Sequence, residues 1–272
     1  MDDGTNQGMG AEQLRIELAA QARVHGHAVV AVTGDGEGPS FAYTVGLAAF
    51  EHPELLVAME NQEVAHALLN DLGFLVRDGR ARFDTAAVFP ADPEGRYDAV
   101  AAPVPPMVAA EHATMADAVA RATGWPAPVA VAQVHVMDAD RLWPWETSPR
   151  FGPPVPGTVL TAVPDVAALP RLTVGPERPE LAPGVLYDTR AHVCVHVQRG
   201  DRPVLLVFRD AGGWSLVCGE RDHDWETDVR PALLGRLVDL DPSLAALLDL
   251  PDAHEAERDE PGLPWARTAA AG

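Results

Sequence analysis

Residues 27–58, HAVVAVTGDGEGPSFAYTVGLAAFEHPELLVA, decide the fold. HAVVAVTGD, SFAYTVGL and, just beyond, ELLVAM are rich in β-branched and aromatic residues, and gaps of hairpin length separate them. They predict three strands, the first closing on a turn at Gly34, Asp35 and Gly36. Alternation along the second places Tyr43 and Val45 on one face and Thr44 and Gly46 on the other. Pro53 fixes the entry into the third.

Working outward, Asn61 is a predicted N-cap for a helix through Leu72, with Val64, Leu68 and Leu72 as its apolar stripe and Gly73 as its end. Further strands are expected around 81–89, 97–104 and 129–137, with a helix over 109–123 stopped by Gly124. Upstream, Leu14, Leu18 and Ala22 recur at four-residue spacing and suit a short amphipathic helix over 11–24. Strands outnumber helices, so the expected class is α+β: a mainly antiparallel sheet or partly open barrel with packed helices.

Between Pro149 and Pro183 stand nine prolines in 35 residues, a density that breaks periodic structure and reads as an interdomain linker. The expected organisation is a domain over 1–148, a linker over 149–184 and a smaller α+β domain over 185–272. The last opens with three apparent strands, AHVCVHV, PVLLVF and GWSLVCG, joined by turns at Arg199–Arg202 and Asp210–Gly213. From Asp228 to about Leu250 the pattern is helical, with a second short helix starting at Pro242.

Composition removes several function classes. The start, MDDGTNQGMG, lacks the basic flank and apolar stretch of a signal peptide, and no apolar run is long enough to span a bilayer, so the expected location is the cytoplasm. All cations are arginine; without lysine there is no Schiff-base or P-loop chemistry. The net charge of −20 would repel nucleic-acid phosphates and anionic lipid. It is unevenly placed: residues 220–260 hold 13 acids against 4 arginines, whereas 151–219 hold 6 of each. Nucleophile-elbow, zincin, Walker and dinucleotide-binding signatures are all missing from the sequence.

Two polar clusters remain. Tyr43 and Thr44 followed by His52 and Glu54 place a His and a carboxylate two residues apart, a spacing that serves proton transfer, a metal half-site or a plain hydrogen-bonded loop. His52, Glu54 and Tyr43 are the catalytic candidates. The other cluster is His192, Cys194 and His196, on one face if the strand runs through them, with Cys218, Asp222 and His223 after the third strand. The two cysteines are isolated and no C-x-x-C or H-x-x-x-H spacing occurs, so the sequence assigns no metal; His192, Cys194, His196 and Cys218 are the candidates if there is one.

Residues 20–147 resemble the bacterial family called domain of unknown function 4262. The resemblance is carried by Tyr43, Thr44, Gly46 and Leu47, then His52, Pro53, Glu54 and Leu55, then Gln133, Asp138, Pro144 and Trp145. More loosely, the same stretch is similar to split-barrel flavin reductases, which implies a flavin cofactor with Ser40 and Thr44 on its phosphate side. Residues 188–260 resemble an immunity-protein family, domain of unknown function 2185, through Arg209, Gly213-Trp214, Gly219-Glu220 with Asp222, and Asp241-Pro242-Ser243. The expected function is therefore a non-catalytic, immunity-like accessory factor binding a basic protein through an acidic surface. Trp225, Glu220, Asp222, Asp224 and Glu226 are its contact candidates. The alternative is a flavin-binding reductase-like enzyme, or an acid–base catalyst, with its site in the N-terminal domain.

Overall fold

A computed structural model describes residues 10–34, 39–91, 96–146, 159–175, 180–211, 213–220, 222–225 and 227–270. It divides into two compact units, one of residues 26–177 and one of residues 1–25 together with 178–272. Each unit is built on a mixed sheet of six strands, so the class is α+β; neither sheet closes into a barrel. No helix among the described residues is long and apolar enough to cross a membrane.

The unit of residues 26–177 contains β1 (Ala28–Val32), β2 (Phe41–Val45), β3 (Glu54–Ala58), β4 (Ala87–Pro90), β5 (Asp98–Pro103) and β6 (Val131–Val136), in the order β1-β2-β3-β6-β5-β4. The three strands of the opening stretch pair as predicted, Tyr43 standing opposite Val30 and Leu56. The turn expected between the first two includes Asp35 and Gly36, which lie outside the described residues. One pairing is parallel, β3 against β6, with Glu54 opposite Val131.

Helix α2 (Gln62–Arg77) packs against β1, β2 and β3. Asn61 caps it, its Oδ1 accepting from Val64 N–H at 3.1 Å. Its buried stripe is Ala65, Leu69, Leu72 and Val76, whereas Val64 is exposed. Gly73 does not end it. The helix runs four residues further because the glycine makes room for a neighbour: a Cβ at 73 would stand 2.5 Å from the His27 ring. The helix expected over 109–123 is broken at Ala113 into α3 (Pro106–His112) and α4 (Thr114–Thr123), and Gly124 stops it at φ 77°. The proline-rich stretch is described over 159–175, where it lies along this unit: Leu172 N–H donates to Val88 O at 2.7 Å and Gly175 N–H to Arg80 O at 2.7 Å.

The other unit holds β7 (Arg190–Cys194), α5 (Val195–Arg199), β8 (Leu206–Asp210), β9 (Gly213–Val217), β10 (Val229–Leu233), α6 (Leu234–Leu240), β11 (His254–Glu257) and β12 (Ala266–Ala269). Its sheet order is β10-β7-β9-β8-β11-β12, again with one parallel pair, β7 against β9. Two expectations are corrected. The strand read through residue 197 stops at Cys194, and the chain turns into α5, which ends on Gly200 at φ 82°. The segment after Asp228 begins as strand β10, not helix. Its Pro231 is tolerated because β10 is an edge strand, where a missing N–H costs no ladder bond. Pro242 does open a short 3₁₀ helix, capped by Asp241, as the sequence predicts.

Helix α1 (Ala11–His25), grouped by the sequence with the first strands, packs against α5, α6 and β10. Its Val24 is fully buried in the core with Val193, Cys194, Leu216, Leu234 and Leu247.

Candidate functional site

In the unit of residues 26–177, Glu54 opens β3 with its side chain enclosed. Thr44 Oγ1 donates to Oε2 at 2.7 Å, the N–H groups of Gly46 and Ala48 donate to Oε1 at 2.9 and 3.1 Å, and Leu47 N–H donates to Oε2 at 3.2 Å. Those three amides are the open start of a single 3₁₀ turn, Leu47–Phe50. The chain enters it through Gly46 at φ 121°, a conformation that favours glycine. Thr44 Oγ1 in turn accepts from Leu55 N–H at 2.8 Å. Burial pushes the Glu54 carboxyl up; the four donors pull it back towards the ionised form.

His52 and Tyr43 follow the same rule. His52 Nε2 accepts from Phe83 N–H at 2.7 Å, and Nδ1–H donates to Pro53 O at 2.6 Å. Burial holds the imidazole below its ordinary value, so it is neutral with both nitrogens engaged. Tyr43 Oη accepts from Met115 N–H in the first turn of α4, and burial pushes its phenol up. A proton-transfer group needs a nitrogen or oxygen turned towards a reactant. These three are turned to the backbone instead.

The flavin candidates fare similarly. Ser40 Oγ accepts from Gly34 N–H at 3.2 Å and donates to Glu60 at 3.3 Å, a carboxylate that would repel a phosphate; Thr44 is fully buried. At another part of the sheet, Trp143 and Trp145 stack at 5.4 Å, and His135 meets Trp145 edge-on. Burial drives the His135 imidazole down to about 4. Its Nε2 lies 3.1 Å from Thr161 Oγ1, and Gln133 Oε1 accepts from Leu160 N–H at 2.7 Å.

Residues 21–149 match the family described as Domain of unknown function (DUF4262). The DUF4262 match takes in Tyr43–Leu55 and the Gln133–Trp145 element. It stops short of residues 188–260. No curated protein and no solved structure matches the chain.

The second unit assembles a different cluster. Cys194 ends β7 and Cys218 follows β9, its parallel neighbour, so the fold itself brings the two thiols together. His196 comes from α5 and His223 from the loop after β9. One ligand atom from each of these four lies within 4.8 Å of every other, a grouping among the described residues that could hold a metal ion. Three of the four are sequence candidates. His192 is exposed and outside the group. Once the chain leaves the strand at Cys194, alternation no longer applies, and His223 completes the set. The sequence places His223 in the same cluster but not among the metal candidates.

Around this cluster, Arg202 holds Asp222 bidentately at 2.7 and 2.8 Å and keeps its carboxyl at about 2. Beyond it the chain surfaces: Glu220, Asp222, Asp224 and Trp225 are exposed, and Glu226 lies outside the described residues. Trp225 is 52% exposed, whereas Trp214 is buried at 5% beneath Arg209. The Trp225 ring meets Phe208 and His223 edge-on, and borders a groove of about 380 Å³ with Phe208, Ala253 and His254. Much of the local acid is paired: Asp249 with Arg267, Asp252 with Arg209, Asp241 with Arg258.

Proposed function

We propose that this chain is a non-catalytic protein-binding factor whose contact surface is the loop of residues 219–228, and that its partner is basic. The observation that carries the reading is Trp225. A large aromatic side chain, half exposed between Asp222, Asp224 and Asp228 and beside an apolar groove, has the form of a binding anchor with a charged rim. Supporting it, the polar residues of the DUF4262 segment that could run chemistry are spent on backbone groups. The excess of acid over arginine in residues 220–260 supplies a field that speeds encounter with a cationic surface. Ion pairs reduce that field: Asp222 is committed to Arg202, so it steers less than its exposure suggests.

The test is capture from a lysate of the source organism by the unaltered chain, by Trp225→Ala, and by the Glu220→Arg, Asp224→Arg double reversal. The same basic partner should be lost with both variants. Its capture should also weaken as salt rises and the Debye length contracts from about 10 Å at 0.1 M to about 3 Å at 1 M. Equal recovery by all three proteins would remove the reading.

A further inference from the structure

We propose that Cys194, His196, Cys218 and His223 bind one zinc ion as a closed, structural centre of the unit that carries Trp225.

Zinc places sulfur about 2.3 Å and nitrogen about 2.0 Å away, so neighbouring donors of a tetrahedral S₂N₂ site stand about 3.3–3.8 Å apart. Here every pair of ligand atoms is within 4.8 Å, and Cys218 Sγ and His196 Nδ1 are already 3.8 Å apart. Closing on an ion takes side-chain shifts of less than an ångström. Two thiols and two imidazoles are the donor set for zinc; calcium and magnesium take oxygen ligands. A [2Fe–2S] cluster with histidines on one iron and cysteines on the other would hold the nitrogens away from the sulfurs. The 3.8 Å sulfur–nitrogen contact fits a single ion.

Packing alone does not explain the arrangement. Buried cysteines are ordinary core residues, but a buried imidazole nitrogen without a partner is costly. The His223 side chain is only 4% exposed, and its Nδ1 has no hydrogen-bond partner among the described residues. The N–H groups of Val197 and Cys218 donate to the Cys194 sulfur, and Arg202 Nη1 approaches Cys218 Sγ at 3.8 Å. Asp222 Oδ1 lies 3.9 Å from His196 Nδ1 and 3.7 Å from His223 Nδ1, so a carboxylate charge stands beside the same two nitrogens. On binding, the dication replaces two thiol protons, which leave to solvent, so the centre gains no net charge. Four protein donors fill the tetrahedron, so no position remains for substrate: the ion pins the β9–β10 loop rather than doing chemistry.

The experiment uses the full chain. Protein purified without chelator should carry one zinc per chain, and its two thiols should react with a disulfide reagent only after chelator removes the metal. Cobalt added to stripped protein should give the intense visible bands of a tetrahedral ion and thiolate-to-metal charge transfer, both bleached by zinc. Cys194→Ser and Cys218→Ser should each cost at least about tenfold in cobalt affinity and part of the charge transfer, and His192→Ala nothing. Should the serine variants not fold, the cobalt spectrum of the unaltered chain still decides. Four results would each overturn the proposal: a pale octahedral cobalt spectrum, iron with acid-labile sulfide, a Cys194–Cys218 disulfide in protein kept reduced, or thiols that react equally fast with and without zinc.

Discussion

Both units bury a cluster of polar side chains, and the two clusters are opposites. At Glu54 one carboxyl sits among four donors, each within 3.2 Å. At Cys194 four ligand atoms face one another, and one of the two histidines keeps a nitrogen without a hydrogen bond among the described residues. The first cluster is complete within the protein and stabilises a turn of backbone. The second turns its ligand atoms towards one another. The lesson is that burial and polarity alone do not mark a site; the direction of the hydrogen bonds does. His52, which looks catalytic in sequence, is saturated, whereas His223, which carries no motif, is not.

The contrast breaks most sharply at Glu54. Glu54→Ala leaves Thr44 and three amides buried without an acceptor, at about 1–3 kcal/mol each. We expect a loss of at least about 4 kcal/mol, read as fast amide hydrogen exchange throughout β1–β6 while β7–β12 stay protected. A loss under about 1 kcal/mol would mean the carboxyl holds nothing together.

His135 tests the same unit by pH. Its folded pKa of about 4 lies below the ordinary 6.5 because burial favours the neutral ring. Between those values the unfolded chain binds the extra proton, so stability is full above pH 6.5 and falls as pH drops to about 4. The loss should be about 3 kcal/mol in urea titrations at each pH. His135→Gln should flatten the curve in that window, and an unchanged slope would place the sensitive group elsewhere.

Val24→Ala probes the second unit's core from its sequence-distant helix. Two methyls lost from a fully buried site should cost about 2 kcal/mol. The added exchange should fall in β7–β12 and spare β1–β6; the reverse pattern would mean α1 is seated elsewhere. The smallest effect is at the surface. Reversing Glu220 and Asp224 to Arg should move thermal unfolding by no more than about 0.5 kcal/mol, since exposed charges contribute little to stability. A larger loss would show that these carboxylates are structural.

The strands of residues 27–58 were legible because alternation, proline and glycine all agree there, and the Asn61 cap and Gly124 stop were legible for the same reason. Gly73 misleads because a glycine that ends a helix and a glycine that admits a neighbouring ring look alike in one dimension. β10 reads as helix because its strand character comes from pairing with β7, a partner some 35 residues away. The metal-type cluster was three-quarters visible. Cys194, His196 and Cys218 stand out by residue type, but the parallel β7–β9 pairing that joins them, and the turn that brings His223 back, are tertiary facts.

The placement of α1 has a consequence for the making of the protein. The helix leaves the ribosome before its seat does, because α5, β10 and α6 are made of residues 195–240. At roughly 5–20 residues per second, translation of the intervening stretch takes on the order of ten seconds. Throughout that interval Leu18, Ala22 and Val24 form an apolar face with no sheet to cover it. The strands of residues 26–177, contiguous in the chain, close in the meantime. A helix made well before its seat is thus sheltered late, and a nascent-chain chaperone would meet it before its own fold does.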